Sequence, residues 1–512
     1  METFILLMQG FQTALTIQNF LAASIGALLG IIVGAMPGIG SLAGVALLLP
    51  LTFKFNPVTG IIMLSAIYYA NMYGGSFSSI LINIPGDSPA VMTALDGHPM
   101  ALKGKPGKAL FTANLSSFIG GTIGIIILTI SGPALARLGL KFGPVEMAAL
   151  LMVAMTSLSW LVGDNPTKGL VSTMIGIVLA TVGFDIVVGT PRFNFGSLHL
   201  LGGISFIPLV IGMFGFSQVL QMMEPRDKND SVDQKLTIKD SILSKEEIKR
   251  LLPPALRSSF LGTIIGILPG AGATTGSFLG YMLEKKIGKN KDKMGTGIVE
   301  GVASCEAANN AAAAGAFAPL LSLGIPGSGT GAVLLGGLLM YGLSPGPLLF
   351  QNEPEFTWGL IASLYVANVI TLVVALSIIP FLIKILKVPT RIMVPIITTV
   401  CIMGAYSASN SLYGVLLMLG AGFVGFHLSK NNYPIAPLLL AFVLAPTLER
   451  DFRRSFLISD GSPLIFFQKP IAAGLMIFLI LTIMTPLFKA LIRRIRRSDK
   501  TSDSAKTAGQ TK

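Results

Sequence analysis

Residues 30–44 read GIIVGAMPGIGSLAG, and residues 262–276 read GTIIGILPGAGATTG. At an offset of 232, Gly30, Gly34, Pro37, Gly38, Gly40 and Gly44 fall on Gly262, Gly266, Pro269, Gly270, Gly272 and Gly276. Two further pairs follow in the same order. Ile84-Pro85-Gly86 matches Ile325-Pro326-Gly327, and Pro106-Gly107 matches Pro345-Gly346. The chain therefore reads as two related halves, 1–223 and 258–485, with a linker at 224–257 and a tail at 486–512. Close helix packing accounts for spacing such as Gly30/Gly34. It does not account for Pro-Gly inside an apolar segment twice. Proline and glycine interrupt a helix and free backbone groups that only ligand, water or protein can satisfy. Such interruptions at matching places in two halves point to the binding site of a secondary transporter.

Composition sets the surroundings. Of 512 residues, 52% are apolar and 12% are charged, and the mean hydropathy is +0.74. A soluble domain carries roughly 25% charged residues. This chain has too few to cover a surface of its size. Its apolar content excludes disorder, glycine shows no three-residue period, and two cysteines exclude a disulfide scaffold. Membrane-length apolar stretches lie at 110–131, 145–162, 167–189, 200–222, 296–322, 357–386, 391–428 (two passes) and 470–492. Runs such as Ile125-Ile126-Ile127-Leu128 lack the alternation of a β-barrel. The expected fold is all-α and polytopic, with about 10–14 membrane segments. The start, Met1-Glu2-Thr3-Phe4, lacks a basic signal-peptide region, so the first apolar stretch is expected to be retained.

The net charge of +13 sits mostly in connections, where Lys and Arg mark cytoplasmic loops rather than a nucleic-acid surface. This predicts that the linker, the Lys285–Lys293 loop and the carboxyl terminus face the cytoplasm. The second interrupted segment has Lys249, Arg250 and Arg257 before it and Lys285, Lys286 and Lys289 after it. It is expected to enter and return as a re-entrant hairpin. The first copy has only Lys54 after it, which fits entry from the opposite face and inverted repeats.

Other signatures fail on spacing or context. GIGSLAG and GAGATTG are GxGxxxG without a βαβ unit, and no P-loop occurs. His98, His199 and His427 have no zinc-type spacing, so no metal site is expected. The hydroxyls of Gly74-Gly75-Ser76-Phe77-Ser78-Ser79 lack an evident base for nucleophilic chemistry, so an intramembrane hydrolase stays a minor alternative. Two carboxylates and two amides in Glu300–Asn310 are costly in an apolar segment and mark functional candidates. Glu300 reads equally as an interfacial residue, and Asp87, after Pro85-Gly86, equally as a helix cap. No Lys or Arg falls in these stretches, so an anion would be held by helix amino termini, hydroxyls and amides.

Four blocks carry a family resemblance: GIIVGAMPGIG (30–40), YGGSFSSILINIPGDSPAVMTALDGHPMALKGKPGKAL (73–110), GILPGAGATTGSF (266–278) and EGVASCEAANNAAAAGAFAPLLSLGIPGSGTGAVLLGGLLMYGLSPGPLLF (300–350). The chain resembles the large membrane subunit of bacterial tripartite tricarboxylate transporters. It departs from the family pattern at Asn71 and Ser304-Cys305, which makes organic anion a firmer description of the substrate than tricarboxylate. The resemblance implies a multi-pass permease of the bacterial inner membrane. It would work with a small four-helix membrane subunit and a periplasmic solute-binding protein, and would import organic anions on an ion gradient.

The combined reading is a permease using alternating access, with a channel as the alternative, no catalytic residue and no cofactor. Expected substrate residues are Pro37, Gly38, Gly40, Ser41, Asn71, Ser76, Ser78, Ser79, Pro269, Gly270, Gly272, Thr274, Thr275, Asn309, Asn310, Ser328 and Thr330. Ion-coupling candidates are Asn83, Asp87, Glu300 and Glu306. The oxygen ligands and absent histidines in these segments favour Na⁺ over H⁺ as the co-transported ion, with the carboxylates keeping H⁺ open.

Overall fold

A computed structural model describes residues 2–36, 39–161, 166–224, 241–268, 270, 272–382, 386, 389–482 and 484, with 2, 158–161 and 390 described by backbone alone. The architecture is all-helical. Among the described residues the only sheet is a two-residue pairing of Gly183–Phe184 with Pro191–Arg192. Among the described residues, five helices are long and apolar enough to cross a membrane: Ile17–Ala35, Pro106–Gly139, Pro354–Phe381, Arg391–Ser409 and Leu412–Lys430. Shorter apolar helices accompany them, among them Gly40–Lys54, Phe206–Met222 and Pro470–Thr482. The protein is a polytopic α-helical membrane protein.

The first half opens with α1 (Glu2–Ala14), α2 (Ile17–Ala35), α3 (Gly40–Leu48), α4 (Pro57–Ile82), α5 (Val91–Leu102) and α6 (Pro106–Gly139). In the second half the matching run is α7 (Lys245–Ile267), α8 (Gly272–Ile287), α9 (Val299–Gly315), α10 (Phe317–Leu323), α11 (Gly329–Met340) and α12 (Pro354–Ile378). Local chemistry sets the starts. Proline occupies the first turn of α4, α6 and α12, where its missing N–H costs nothing. The Asn56 side chain caps α4 through Thr59 N–H at 2.9 Å, and Ser244 and Glu247 form a capping box on α7.

The repeat is visible in the packing. A Cβ on Gly30 would meet the Ile67 carbonyl, and one on Gly34 would meet that of Asn71. At the matching places, Gly262 abuts the Ala308 carbonyl and Gly266 that of Ala312. Gly74 meets the Ile31 carbonyl as Gly315 meets that of Thr263, and Gly86 meets the Gly34 carbonyl as Gly327 meets that of Gly266. Positions rise together along α2 and α4, and along α7 and α9, so each pair runs parallel. By contrast, Gly276 faces Ala312 while the later Gly280 faces Ser304 and Ala308. Thus α8 returns against α9. Similarly, Gly40 lies beside Gly86 and Gly44 beside Asn71, so α3 returns against α4. Both interrupted segments are helical hairpins, and glycine is required because backbones touch there. The left-handed residues Asn83 (φ 53) and Gly324 (φ 70) end α4 and α10 at matching points, each just before Ile-Pro-Gly.

Two expectations change. The stretch 167–189 does not stay helical, since its helix ends at Ala180 before the short pairing. Pro106 opens α6, whereas Pro345-Gly346 lies in a loop, so Pro354, opening α12, is the structural counterpart of Pro106. The Lys245–Arg250 segment forms the start of the continuous α7.

Ion pairs gather where α7 and α9 begin and α8 ends. Arg250 donates to Glu300 at 2.7 and 2.8 Å. Arg257 pairs with Glu284 at 2.7 Å, and Lys108 with Glu247 at 2.9 Å. Just inside, buried Asp96 of α5 binds the loop before α9. Its Oδ2 accepts from Tyr281 Oη and Gly295 N–H, both at 2.9 Å, and its Oδ1 from Gly297 N–H at 2.7 Å and Ile298 N–H at 3.0 Å.

Two compact units are distinguished: Met1–Lys141 with Leu158–Pro446, and Phe142–Ser157 with Thr447–Lys512. Among its described residues, the smaller unit has its own core of Val145, Ala148, Ala149, Ile465, Phe466 and Ala472. Within it Phe452 stacks on Phe466, and Phe456 meets both rings edge-on.

Candidate functional site

Where the hairpins turn, helix starts converge. The start of α3 brings Ser41 and Leu42, and the Ser88–Ala90 turn before α5 brings Asp87, Ser88 and Pro89. The second half supplies the first turn of α8 (Gly272 to Thr275) and the start of α11 with Ser328 and Thr330. Together they line a cavity of about 390 Å³, closed by Tyr68 and Met72 from α4 and by Pro434 and Ala436. Gly40 (φ +68) and Gly272 (φ +61) hold the left-handed backbone that lets each returning helix begin. Helix starts carry unpaired N–H groups and about half a positive charge each. No described lining residue is Lys, Arg or His, so the polar groups that face the cavity are main-chain N–H groups at helix starts, hydroxyls and the Asp87 carboxylate.

The halves touch here. Ser41 Oγ and Thr330 Oγ1 lie 3.1 Å apart, and Ser277 Oγ donates to the Pro89 carbonyl at 2.8 Å. Ser328 Oγ accepts from Gly331 N–H at 3.1 Å, capping α11. Asp87 Oδ1 accepts from Ser88 N–H at 2.8 Å, so the capping role is real. Its buried Oδ2 faces Ser41 without a hydrogen bond of regular geometry among the described residues.

Of the residues expected from sequence, Ser41, Gly270, Gly272, Thr274, Thr275, Ser328, Thr330 and Asp87 border this cavity. Gly40 borders a neighbouring cavity of about 500 Å³ that shares Asp87 and Ser88 with the first. Pro37, Gly38 and Pro269 lie outside the described residues. Asn71, Ser76, Ser78 and Ser79 are buried within α4 away from the lining. Ser76 Oγ donates to the Tyr73 carbonyl at 2.7 Å and Ser79 Oγ to that of Gly75 at 3.1 Å. Asn83 ends α4 and is exposed.

The second-half polar run also lies apart. α9 is a regular helix across Asn309 and Asn310, with no unwinding, and Asn310 Nδ2 donates back to the Glu306 carbonyl at 3.1 Å. Glu306 is fully buried, accepting from Thr93 Oγ1 and, at 3.0 Å, from Ser117 Oγ. Glu300 is held by Arg250 and by Asn290 at 2.6 Å. Sequence reasoning missed Tyr68, Met72 and the 434–436 wall, which only the tertiary fold brings to the cavity. It also missed Asp96, whose signal was a lone carboxylate in the apolar TALDGHP stretch.

The fold and cavity define a polytopic membrane protein whose two hairpins meet around a pocket lined by helix starts and hydroxyls. The chain belongs to the tripartite tricarboxylate transporter TctA family, whose model matches residues 20–440. That family is one of transporters, and it makes this chain the large membrane subunit of such a system. Two Agrobacterium vitis proteins are similar. One, named "Uncharacterized 52.8 kDa protein in TAR-I ttuC' 3'region", is 42% identical over 470 residues, covering 91% of this chain and 93% of the relative. The other, "Uncharacterized protein in TAR-II ttuC' 3'region", is 40% identical over 215 residues, covering 42% of this chain and 89% of the relative. No solved structure matches the chain.

Proposed function

We propose that this subunit imports tricarboxylates or related organic anions by alternating access, driven by an ion gradient. The carrying observation is the cavity between the two hairpins, where helix starts from both halves converge without a basic side chain. Its volume of about 390 Å³ falls within the roughly 300–1,000 Å³ of small-molecule sites. An inverted relation of the halves is supported by the order of contacts between them. Phe317 packs on Tyr68 and Tyr69, whereas the earlier Glu306 lies near the later Tyr73. Those helices therefore run in opposite directions. The protein would sit in the bacterial inner membrane with its carboxyl terminus in the cytoplasm, taking solute from a periplasmic binding protein beside a small four-helix subunit.

The test is uptake of labelled citrate, and of a panel of di- and tricarboxylates, into vesicles holding this chain and both partners. Accumulation above the outside concentration, abolished by collapsing the ion gradient, supports the proposal. Uptake that never exceeds equilibration would make the protein a channel.

A further inference from the structure

The cavity assigned to an anion contains a carboxylate. Asp87 stands in the wall between the cavities of about 390 and 500 Å³ and borders both. Capping uses only its Oδ1. The buried Oδ2 has no regular hydrogen bond among the described residues, and Asp87 takes part in no ion pair there. Ser41 faces it from α3, Tyr68 from α4 and Ser328 from the start of α11. The other titratable group on the described walls of either cavity is Tyr433, and neither wall carries a Lys, Arg, His or second carboxylate. At the matching place in the second half stands Ser328, which is neutral. One half thus places a negative charge where the other places a hydroxyl.

Two negative groups a few ångströms apart in a partly dehydrated pocket repel strongly. An ionised Asp87 therefore opposes a carboxylate ligand, and a cation on Asp87 removes that opposition. The geometry points to Asp87 as the co-ion site of this transporter, holding a monovalent cation, Na⁺ or H⁺, that must bind before the organic anion enters. This rests on the transport reading above and deepens it, because a shared cavity makes coupling a matter of charge compensation. Glu300 does not meet the same description, being paired with Arg250. Glu306 lies outside the lining of both cavities.

The experiment is citrate binding to the full-length chain in lipid nanodiscs, followed by calorimetry. One arm replaces Na⁺ with choline at fixed pH, and the other varies pH at fixed Na⁺. For the wild type, citrate affinity is expected to rise about tenfold to hundredfold along one arm, and that arm identifies the ion. Asp87→Asn keeps the shape and removes the charge, and it is expected to bind citrate with less than about a twofold change along either arm. If Asp87→Asn does not fold, Asp87→Ser, which copies the residue at the matching position, takes its place. A folded variant that keeps the wild-type ion dependence overturns the proposal, as does a wild type that responds to neither arm. A folded variant that loses citrate binding also overturns it, making Asp87 a direct substrate ligand. Failure of the wild type to bind any carboxylate would instead overturn the transport reading, so the two failures are distinguishable.

Discussion

Ser41 and Thr330, 289 positions apart in the chain, place their hydroxyl oxygens 3.1 Å from each other at the wall of the cavity. Each stands in the first turn of its helix, one from each half. The pair links the two hairpin systems at the place where a ligand would separate or clamp them.

Replacing that pair should act on binding before it acts on folding. Ser41→Ala or Thr330→Val removes one buried hydrogen bond, about 0.5–1.5 kcal/mol. Apparent citrate affinity in reconstituted vesicles is expected to fall by about twofold to tenfold, with unchanged melting of the detergent-solubilised protein. The double variant should cost little more than either single one, because one interaction is lost in all three. Fully additive effects would show that each hydroxyl acts alone.

The hairpin glycines should tolerate no Cβ. Gly34→Ala and Gly266→Ala each drive a methyl into a facing carbonyl, that of Asn71 or Ala312. Overpacking of this kind costs about 1–3 kcal/mol or more. Both variants should lose most of the monodisperse peak in fluorescence-detected size exclusion. Gly420→Ala is the control, an exposed helical position with open space around it. It should be neutral or stabilising by up to about 1 kcal/mol.

Asp96→Asn should destabilise the protein. Four donors converge on its two oxygens, and an amide must turn its NH₂ toward two of them. Each buried donor left unpaired costs about 1–3 kcal/mol. A lower melting temperature is expected, with citrate affinity preserved in the folded fraction. Unchanged melting would mean that the loop before α9 has other anchors.

Glu300→Gln should leave transport coupling intact. The Glu300 side chain is 6% exposed, but its partner Arg250 is 45% exposed and stays hydrated when the charge is lost. The expected result is a modest loss of stability, about 1 kcal/mol, with the wild-type dependence of uptake on Na⁺ and pH. A changed ion dependence would give Glu300 a place in coupling.

Topology can be read with single cysteines. Cys305 and Cys401 are buried and should label slowly. Lys54→Cys and Lys289→Cys lie at exposed positions near the ends of the two hairpins. An impermeant maleimide should reach Lys54→Cys from the periplasm and Lys289→Cys only after permeabilisation. Equal labelling from one side would exclude the inverted arrangement.

Much of the hairpin architecture was legible because its signals are backbone signals. Pro-Gly at matching places predicts interruptions, and between Ala35 and Gly40 and between Ile267 and Gly272 one helix ends and the returning one begins. Side-chain direction was not legible in the same way. α4 is buried on nearly every face from Thr59 to Leu81, so no polar stripe marks which of Ser76, Ser78 and Ser79 faces a cavity. Glu300 read as a candidate site because Arg250, 50 positions earlier, becomes its partner only through the fold. Tyr68, Pro434 and Ala436 carry no local signature of a binding wall. Ser41, Thr274, Thr275, Ser328 and Thr330, which line the cavity, stand out in the sequence by their nearness to a helix start.

The helix starts that line the cavity bear on how the protein can be retuned. N–H groups at helix starts belong to every residue type except proline, so their contribution survives replacement of the side chains around them. Exchanging Leu42, Met72 or Ala436 for larger or smaller residues would therefore reshape the pocket while leaving the N–H groups of the helix starts in place. The shape of the pocket and the polarity of its helix starts are thus separately adjustable.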